Sequence, residues 1–551
     1  MALTKEERRL RIKRRIRKIV SGTAERPRMS VYRSNAQISV QLIDDKAGKT
    51  LLSVSSLCKE IAEKKGNKTE QAAFVGAAVA EKAKAENLSP QEYVDKISDS
   101  FKANWKDLKI KYDQFIRTSS KKHEECVQKV FERLLAQGDI YKSTYSGWYC
   151  TPCESFWTET QVGEEHLCPD CHRPVHKDEE ESYFLNVKKY VPQLLKFYEE
   201  HPNFVPGGKL EEMINTFIKP GLEDLCITRT SFSWGVPVKS DPKHVVYVWI
   251  DALLNYLSAL GYLSEDDTLF QKYWSKDTEV LQLAGREINR FHTIYWPILL
   301  FALNLRCPDT VYIHGLLLTR SGVKLSKSLG NAPSPQPIIE RYGLDALRYY
   351  DASEVKFGED GTFTPNQFID RINADLVNNY GNLVNRTLGM MSKYTSGIIP
   401  MYNEPVLDET KKLLVSLKED KDCYFSEFDK YNVTKALQYV AKIGDLGNKY
   451  IDSTTPWILA KDPSKKKELE EVLYTLCEII RTMSVLYKPV LVEKAQIALE
   501  FYNIPSELQT MDSLNEYGKL GGIQTNTGSP LFPRLDRNTE TEFLVKLIDG
   551  E

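Results

Sequence analysis

The chain has 551 residues, 42% of them hydrophobic and 27% charged, with a formal net charge of -2 and a sequence pI of about 6.5. That is material for three or four packed domains, and its charge balance excludes a polycation, so nucleic-acid binding has to come from local patches. No apolar run reaches the ~18 residues of a membrane span, and no apolar stretch of the secretory kind follows the basic amino terminus. Ten cysteines in this length make no disulfide scaffold, and a reducing cytoplasm is the expected compartment.

In chain order, the first twenty residues carry nine Lys or Arg against two Glu. Such a run reads either as a solvated helix or as an arm on a phosphate backbone. Period-two alternation then predicts strands over 28–34 and 37–43 and a third beginning at 50–54, while the Ala-rich stretch 69–85 reads as helical. Residues 22–35, GTAERPRMSVYRSN, followed by QLIDD at 41–45, are similar to bacterial large-subunit ribosomal protein eighteen. The resemblance covers about residues 1–85 and stops before that family's final strand and helix. It implies a small α/β module and 5S rRNA as a partner.

The pattern changes at residue 89. Amphipathic helices are predicted over 90–105 and 123–137, the second with Val127, Val130, Phe131 and Leu134 on one face and Gly138-Asp139 closing it. Two CxxC pairs follow, Cys150/Cys153 and Cys168/Cys171, with fourteen residues between them. Thiolates three apart in a turn can face one point, and two such turns make a tetrahedral cage for a structural zinc. The bland alternative is two reduced pairs without metal. His166, His172 and His176 lie close by, and one of them could replace a cysteine ligand. Mixed α/β sequence runs to about 365, including a buried helix at 295–305. Residues 366–500 read as almost wholly helical, and the last forty as a loosely packed tail.

Residues 322–331, GVKLSKSLGN, set Lys324 and Lys327 among serines between two glycines. Ammonium groups on a mobile loop can close over a triphosphate, although an ordinary surface loop has the same composition. The segment resembles the lysine-rich signature loop of class I aminoacyl-tRNA synthetases, with Leu325 where methionine is usual, and His314-Gly315-Leu316-Leu317 leads into it as in that class. The resemblance implies that Lys324 and Lys327 are catalytic and that they bind ATP together with Ser326 and Ser328.

Residues 247–256, YVWIDALLNY, read as a strand entering a helix, where aromatics are ordinarily core. Together with GREI at 285–288 and FHTIYWP at 291–297 they are similar to methionyl-tRNA synthetases rather than to their isoleucine, leucine or valine relatives. By that resemblance Trp249, Ala252, Tyr256, Ile288 and His292 line a methionine pocket, and Gly285 and Glu287 hold the adenosine ribose. The family often has Lys-Asp where this chain has Arg286-Glu287. Asn382 and Arg386 share one face of a helix predicted over 374–393, and Trp457 follows Pro456 at another helix start. As a trio they match the family's readers of the CAU anticodon.

The chain contains no His-x-Gly-His turn, the class I feature that holds ATP phosphates in the transition state, and no Thr-Asp-Glu-His segment. The resemblance to a synthetase begins near residue 86, and 81–86 is a plausible seam with the ribosomal-type module. The expected architecture is α/β. Residues 1–85 form the ribosomal-type module, 86–365 a partial Rossmann-like catalytic domain with a zinc-bearing insertion at about 112–230, 366–510 an all-α anticodon-binding bundle and 511–551 a tail. The parallel sheet is expected to carry an unpaired, apolar inner edge. The implied function is methionine–tRNA ligation with ATP, Mg²⁺, L-methionine and tRNA-Met, with zinc as a structural ion and no membrane partner. The alternative is a non-catalytic RNA-binding fusion.

Overall fold

The computed structural model describes the strands Arg28–Arg33, Ile38–Asp44 and Lys49–Ser55 and residues 90–548, the latter without 151–154, 158, 164–165, 170–172, 231–233, 319–321, 323–334 and 357. The basic arm, the expected helix 69–85 and the seam at 81–86 lie outside the described residues, as do Cys153, Cys171, His172, Lys324, Ser326, Lys327 and Ser328. The three amino-terminal strands, β1 to β3, form an antiparallel meander in which Arg28 faces Ile43 and Ser39 faces Ser55.

Helix α1 (Pro90–Asp107) presents Tyr93, Ile97 and Phe101, four residues apart, to solvent, with 58%, 42% and 39% of their surface exposed. Helix α2 (Lys121–Ala136) starts where the Ser120 hydroxyl accepts from the His123 amide at 3.4 Å and stops before Gly138, whose φ of +75° reverses the chain. Its Val127, Val130, Phe131 and Leu134 are buried, as the period-3.6 pattern requires. The chain then forms an antiparallel sheet of β4 (Ile140–Cys150), β5 (Ser155–Trp157), β6 (His176–Leu185) and β7 (Leu225–Cys226), in the order β5-β4-β6-β7. Short helices α3 (Val248–Leu253) and α4 (Asn255–Ser258) follow.

The parallel element is the pair β8 (Leu281–Gly285) and β9 (Thr310–His314), in register from Leu281 opposite Thr310 to Gly285 opposite His314. Between them runs a buried segment of one π stretch, Phe291–Tyr295, and helix α5 (Trp296–Ala302). Among the described residues β8 has a partner strand on one side only. Its Gln282 and Ala284 point inward, while Leu281 and Leu283 stay 38% and 55% exposed. Parallel sheets are ordinarily covered on both faces, and the two leucines leave one face of this strand open.

The remaining half is a helical bundle with its own core. The short parallel pair β10 (Leu317–Leu318) and β11 (Gly361–Thr362), with helix α6 (Leu344–Glu354) between its strands, leads into it. The bundle comprises α7 (Asn382–Thr395), α8 (Asp408–Asp429), α9 (Val433–Thr454), α10 (Pro456–Leu459), α11 (Lys466–Tyr487) and α12 (Arg537–Ile548). From Val472 to Tyr487 α11 is buried all round, and its two charges, Glu478 and Arg481, pair with each other at 2.8 Å.

Two expectations are corrected here. Residues 374–393 do not form one α-helix, because Ile372–Gly381 winds as a π-helix before α7 begins. The wider turns set Asn379 against α9, where its amide donates to Ala441 O at 2.9 Å. A side chain at Gly444 would begin 1.7 Å from the Asn379 carboxamide oxygen, so only glycine fits there. Nor is the carboxyl-terminal stretch loosely packed. Leu520, Leu531 and Leu544 are buried, Arg481 holds the turn before them by donating to Leu508 O and Ser513 O at 3.2 and 3.1 Å, and Glu540 on α12 accepts from Arg341 and Tyr342, both at 2.6 Å.

Candidate active site

The segments singled out for methionine converge. Tyr256 on α4 donates its hydroxyl proton to His292 Nε2 at 2.8 Å, and His292 Nδ1 donates to Ile288 O at 3.0 Å. The second bond fixes the tautomer, leaving Nε2 as the acceptor. Burial holds the His292 imidazole below its ordinary pKa, with the bond to Ile288 O opposing, so the ring is neutral near pH 7. It lies on a π stretch whose five residues, Phe291–Tyr295, are all buried. Trp249 on α3 lies flat on Phe291, with ring centroids 3.4 Å apart, and its buried indole Nε1 has no hydrogen-bond partner among the described residues. Ala252, whose carbonyl accepts from the Asn255 amide, stands between Trp249 and Tyr256 on the same helical stretch.

A second corner lies at the carboxyl ends of β8 and β9. A side chain on Gly285 would meet a Glu287 carboxylate oxygen at 2.8 Å and the His314 ring at 3.6 Å, so backbone, carboxylate and imidazole crowd one point. The Arg286–Ile288 turn that carries Glu287 begins directly after the strand. Ends of adjacent parallel strands are where this class of sheet places ligands.

The helices that carry Trp249 and Tyr256 are held by residues that sequence reasoning did not find. His123 on α2 is fully buried, with Nε2 2.7 Å from Asp251 Oδ1 on α3 and Nδ1 2.7 Å from Ser258 Oγ on α4. It pins α2 to the two helices that carry Trp249 and Tyr256. The three residues resemble a hydrolase triad in type, but burial of both His123 and Ser258 denies a substrate access to the hydroxyl. The Arg290 guanidinium lies 4.9 Å from each of the Trp157, Phe217 and Phe291 ring centroids, joining Phe291 to β5.

Strand β5 belongs to the cysteine knuckle. Cys150 ends β4 and Cys168 opens the second turn, in which its amide donates to Arg173 O at 2.8 Å. Both thiols are buried in one small core with Trp157, Val162 and Val175. That donor chemistry fits a thiolate-bound ion, with Cys153 and Cys171 outside the described residues. Of the nearby histidines, His166 stacks on Trp148 at 3.9 Å and His176 meets Tyr149 edge-on. A further cluster, Glu181, Asp241 and His244, has metal-binding residue types, but Lys142 already bridges its two carboxylates at 2.8 and 2.9 Å.

At the far end of the bundle, Asn382 donates to Asn448 Oδ1 at 3.0 Å and Arg386 to Asp452 Oδ1 at 2.8 Å, one turn apart on α7 and α9. Asp452 lies in the last turn of α9, just before Trp457 on α10, so Arg386 and Trp457 share that end of the bundle. Trp457 and Ile458 are exposed, which leaves an indole face available there.

The model of the family "tRNA synthetases class I (M)" matches residues 72–180 and 173–388, and that of ribosomal L18 of archaea, bacteria, mitochondria and chloroplasts matches residues 3–95. The two matches overlap across 72–95, around the seam expected from the sequence. A methionine–tRNA ligase of Bacillus subtilis (strain 168) is 47% identical over 487 residues, which cover 86% of this chain and 73% of that protein. One of Clostridium tetani (strain Massachusetts / E88) is 46% identical over 469 residues, covering 84% and 72%. The crystal structure of Mycobacterium tuberculosis methionyl-tRNA synthetase bound by methionyl-adenylate superposes with a TM-score of 0.77 at 33% identity, over 83% of this chain and 90% of that one. Fold, family model and relatives agree that the chain belongs to the methionine–tRNA ligase family of class I tRNA synthetases.

Proposed function

We propose that the chain binds methionine between Trp249, Ala252, Tyr256, Ile288 and His292. The observation that carries this reading is the neutral, tautomer-fixed His292 bonded to Tyr256 between apolar walls. Such a site gives a thioether one polar neighbour and otherwise apolar contact, and it selects against charged side chains. Gly285 and Glu287 hold the ribose of ATP, and Lys324, Ser326, Lys327 and Ser328 close on its phosphates, with Mg²⁺ accompanying the nucleotide. The methionine carboxylate attacks the α-phosphate and pyrophosphate leaves against Lys324 and Lys327; a ribose hydroxyl of the terminal adenosine of tRNA-Met then attacks the adenylate's carbonyl, breaking the mixed anhydride and releasing AMP. A zinc ion held by Cys150, Cys153, Cys168 and Cys171 supplies a rigid cross-link and no reaction step.

Because the sequence holds no His-x-Gly-His turn, adenylate formation by this chain alone is slow. Loss of a set of transition-state contacts costs several kcal/mol, and each ~1.4 kcal/mol is about tenfold in rate. Methionine-dependent exchange of labelled pyrophosphate into ATP by the full chain tests this. Exchange at the rate of a full-length relative refutes the slow step, and loss of methionine binding refutes the pocket.

A second reading, an RNA-binding protein without turnover, is favoured by one observation. The Asn382–Asn448 and Arg386–Asp452 contacts and the exposed Trp457 belong wholly to the helical half. Trp457→Ala is expected to weaken binding of a CAU anticodon stem-loop by roughly tenfold, the value of one base–aromatic stack, and unchanged affinity refutes the anticodon assignment. Binding of 5S rRNA by residues 1–85 is measured in the same titration with that RNA.

A further inference from the structure

Two tryptophans stand at the ends of one column of contacts. Trp157, on β5, is buried in the small core that holds Cys150 and Cys168. Trp249, on α3, lies flat on Phe291 with an interplanar angle of 8°. Between them is Arg290, whose guanidinium sits 4.9 Å from the ring centroids of Trp157 and Phe291. Phe217, at the same distance from it, packs against both the knuckle core and the larger core that contains Phe291. The column therefore runs from the cysteine turns through Trp157, Arg290 and Phe291 to Trp249.

Neither indole is held by a hydrogen bond. The Nε1 atoms of Trp157 and Trp249 are both buried and have no partner among the described residues. A buried indole usually uses that donor to fix its ring. Without it, the orientation of each ring follows from what its faces touch. For Trp249 that is Phe291, and for Trp157 it is the Arg290 cation. A guanidinium is planar and rigid, and its attraction to an aromatic ring strengthens as water is excluded. A displaced Trp157 thus shifts Arg290, and through Phe291 the shift reaches Trp249. An aliphatic side chain at position 290 would fill space and transmit no such preference.

We propose that Arg290 is a positioning residue for the amino-acid site. It carries the placement of Trp157 in the knuckle through Phe291 to the indole wall offered by Trp249, so that knuckle and pocket act as one coupled unit. The proposal rests on the reading that Trp249 lines the methionine pocket. Arg290 acts on an apolar wall and not on the Tyr256–His292 pair. It therefore governs how tightly a side chain of methionine's shape is held, and not the choice between sulfur and methylene.

Calorimetric titration of the full chain with L-methionine and L-norleucine tests the proposal in a double-mutant cycle. Arg290→Leu is expected to lower affinity for both ligands roughly fivefold, the value of one partly desolvated cation–π contact. Trp157→Leu is expected to do the same. The double variant is expected to lose roughly fivefold again, and not the roughly twenty-five-fold of two independent losses. Arg290→Lys keeps a cation within reach of the rings and is expected to recover most of the affinity, whereas a role confined to packing would not favour Lys over Leu. An unaltered helical circular-dichroism signal verifies the fold of each variant, and the comparison of Leu with Lys at position 290 stands without the Trp157 variant. Affinity unchanged in Arg290→Leu, losses that multiply in the double variant, or Arg290→Lys as weak as Arg290→Leu overturns the proposal and leaves the pocket reading intact. A wild-type chain that binds neither amino acid refutes the pocket reading and the proposal with it.

Discussion

Replacing Tyr256 by phenylalanine removes one hydroxyl and almost nothing else. That hydroxyl donates to His292 Nε2 at 2.8 Å, and His292 is only 6% exposed, so no water replaces the lost donor. Leaving a buried acceptor unmet costs ~1–3 kcal/mol, which is paid in stability and appears as a lower denaturant midpoint. The effect on ligand binding is separate. If the Tyr256–His292 pair is the polar neighbour of the methionine sulfur, its removal forfeits ~1 kcal/mol with methionine, about a fivefold loss of affinity. Norleucine, which has a methylene where methionine has sulfur, gains nothing from the pair. Calorimetry with both amino acids needs no catalysis. Methionine affinity is expected to fall about fivefold in Tyr256→Phe with norleucine unaffected, so that their ratio approaches one. An equal fall for both ligands, or none for either, refutes the role given to this pair.

Three other outcomes follow from the same geometry. His123→Ala strands both Asp251 and Ser258 and is expected to cost ~2–5 kcal/mol of stability by chemical denaturation, whereas Lys121→Ala, at the exposed start of the same helix, costs under ~0.5 kcal/mol. Treatment with a strong chelator is expected to release about one zinc per chain and to expose the Cys150 and Cys168 thiols to a colorimetric reagent. Thiols already reactive before chelation would refute the metal. The third concerns pH. His292 has a folded pKa below its ordinary 6.5, so the unfolded chain takes up the proton first as pH falls. Stability from this group is complete above that value and is lost on acidification towards the depressed folded value. The wild-type advantage over His292→Gln is therefore expected to shrink between pH 7 and 5, and a constant difference refutes the assignment.

Local features were the most legible in the sequence. The α2 face, the strands β1 to β3 and the Pro456 helix start follow from periodicity and capping, which operate over a few residues. The methionine and ribose segments were legible only as family motifs, since nothing in the spacing of Tyr256 and His292 announces a 2.8 Å contact. His123 escaped because its partners lie 128 and 135 positions away, and Asn448 and Asp452 because each is 66 positions from the residue it holds. The π windings at Phe291 and Ile372 were also invisible, because hydrophobic spacing is read on a 3.6-residue period. The tail misled for a compositional reason. Its glycines and prolines look like loop, while Leu531, Phe532 and Leu544 fill a bundle that other helices had left open.

The outward leucines of β8 and the Tyr93, Ile97 and Phe101 stripe of α1 bear on how the protein behaves in a tube. Exposed apolar side chains are what fluorescent hydrophobic probes and chaperone substrate clefts capture, and self-association through them grows steeply with concentration. Sulfate and other excluded salts drive such surfaces together, whereas low salt and mild detergent keep them apart. For this chain, therefore, the buffer decides whether a binding isotherm reports a monomer.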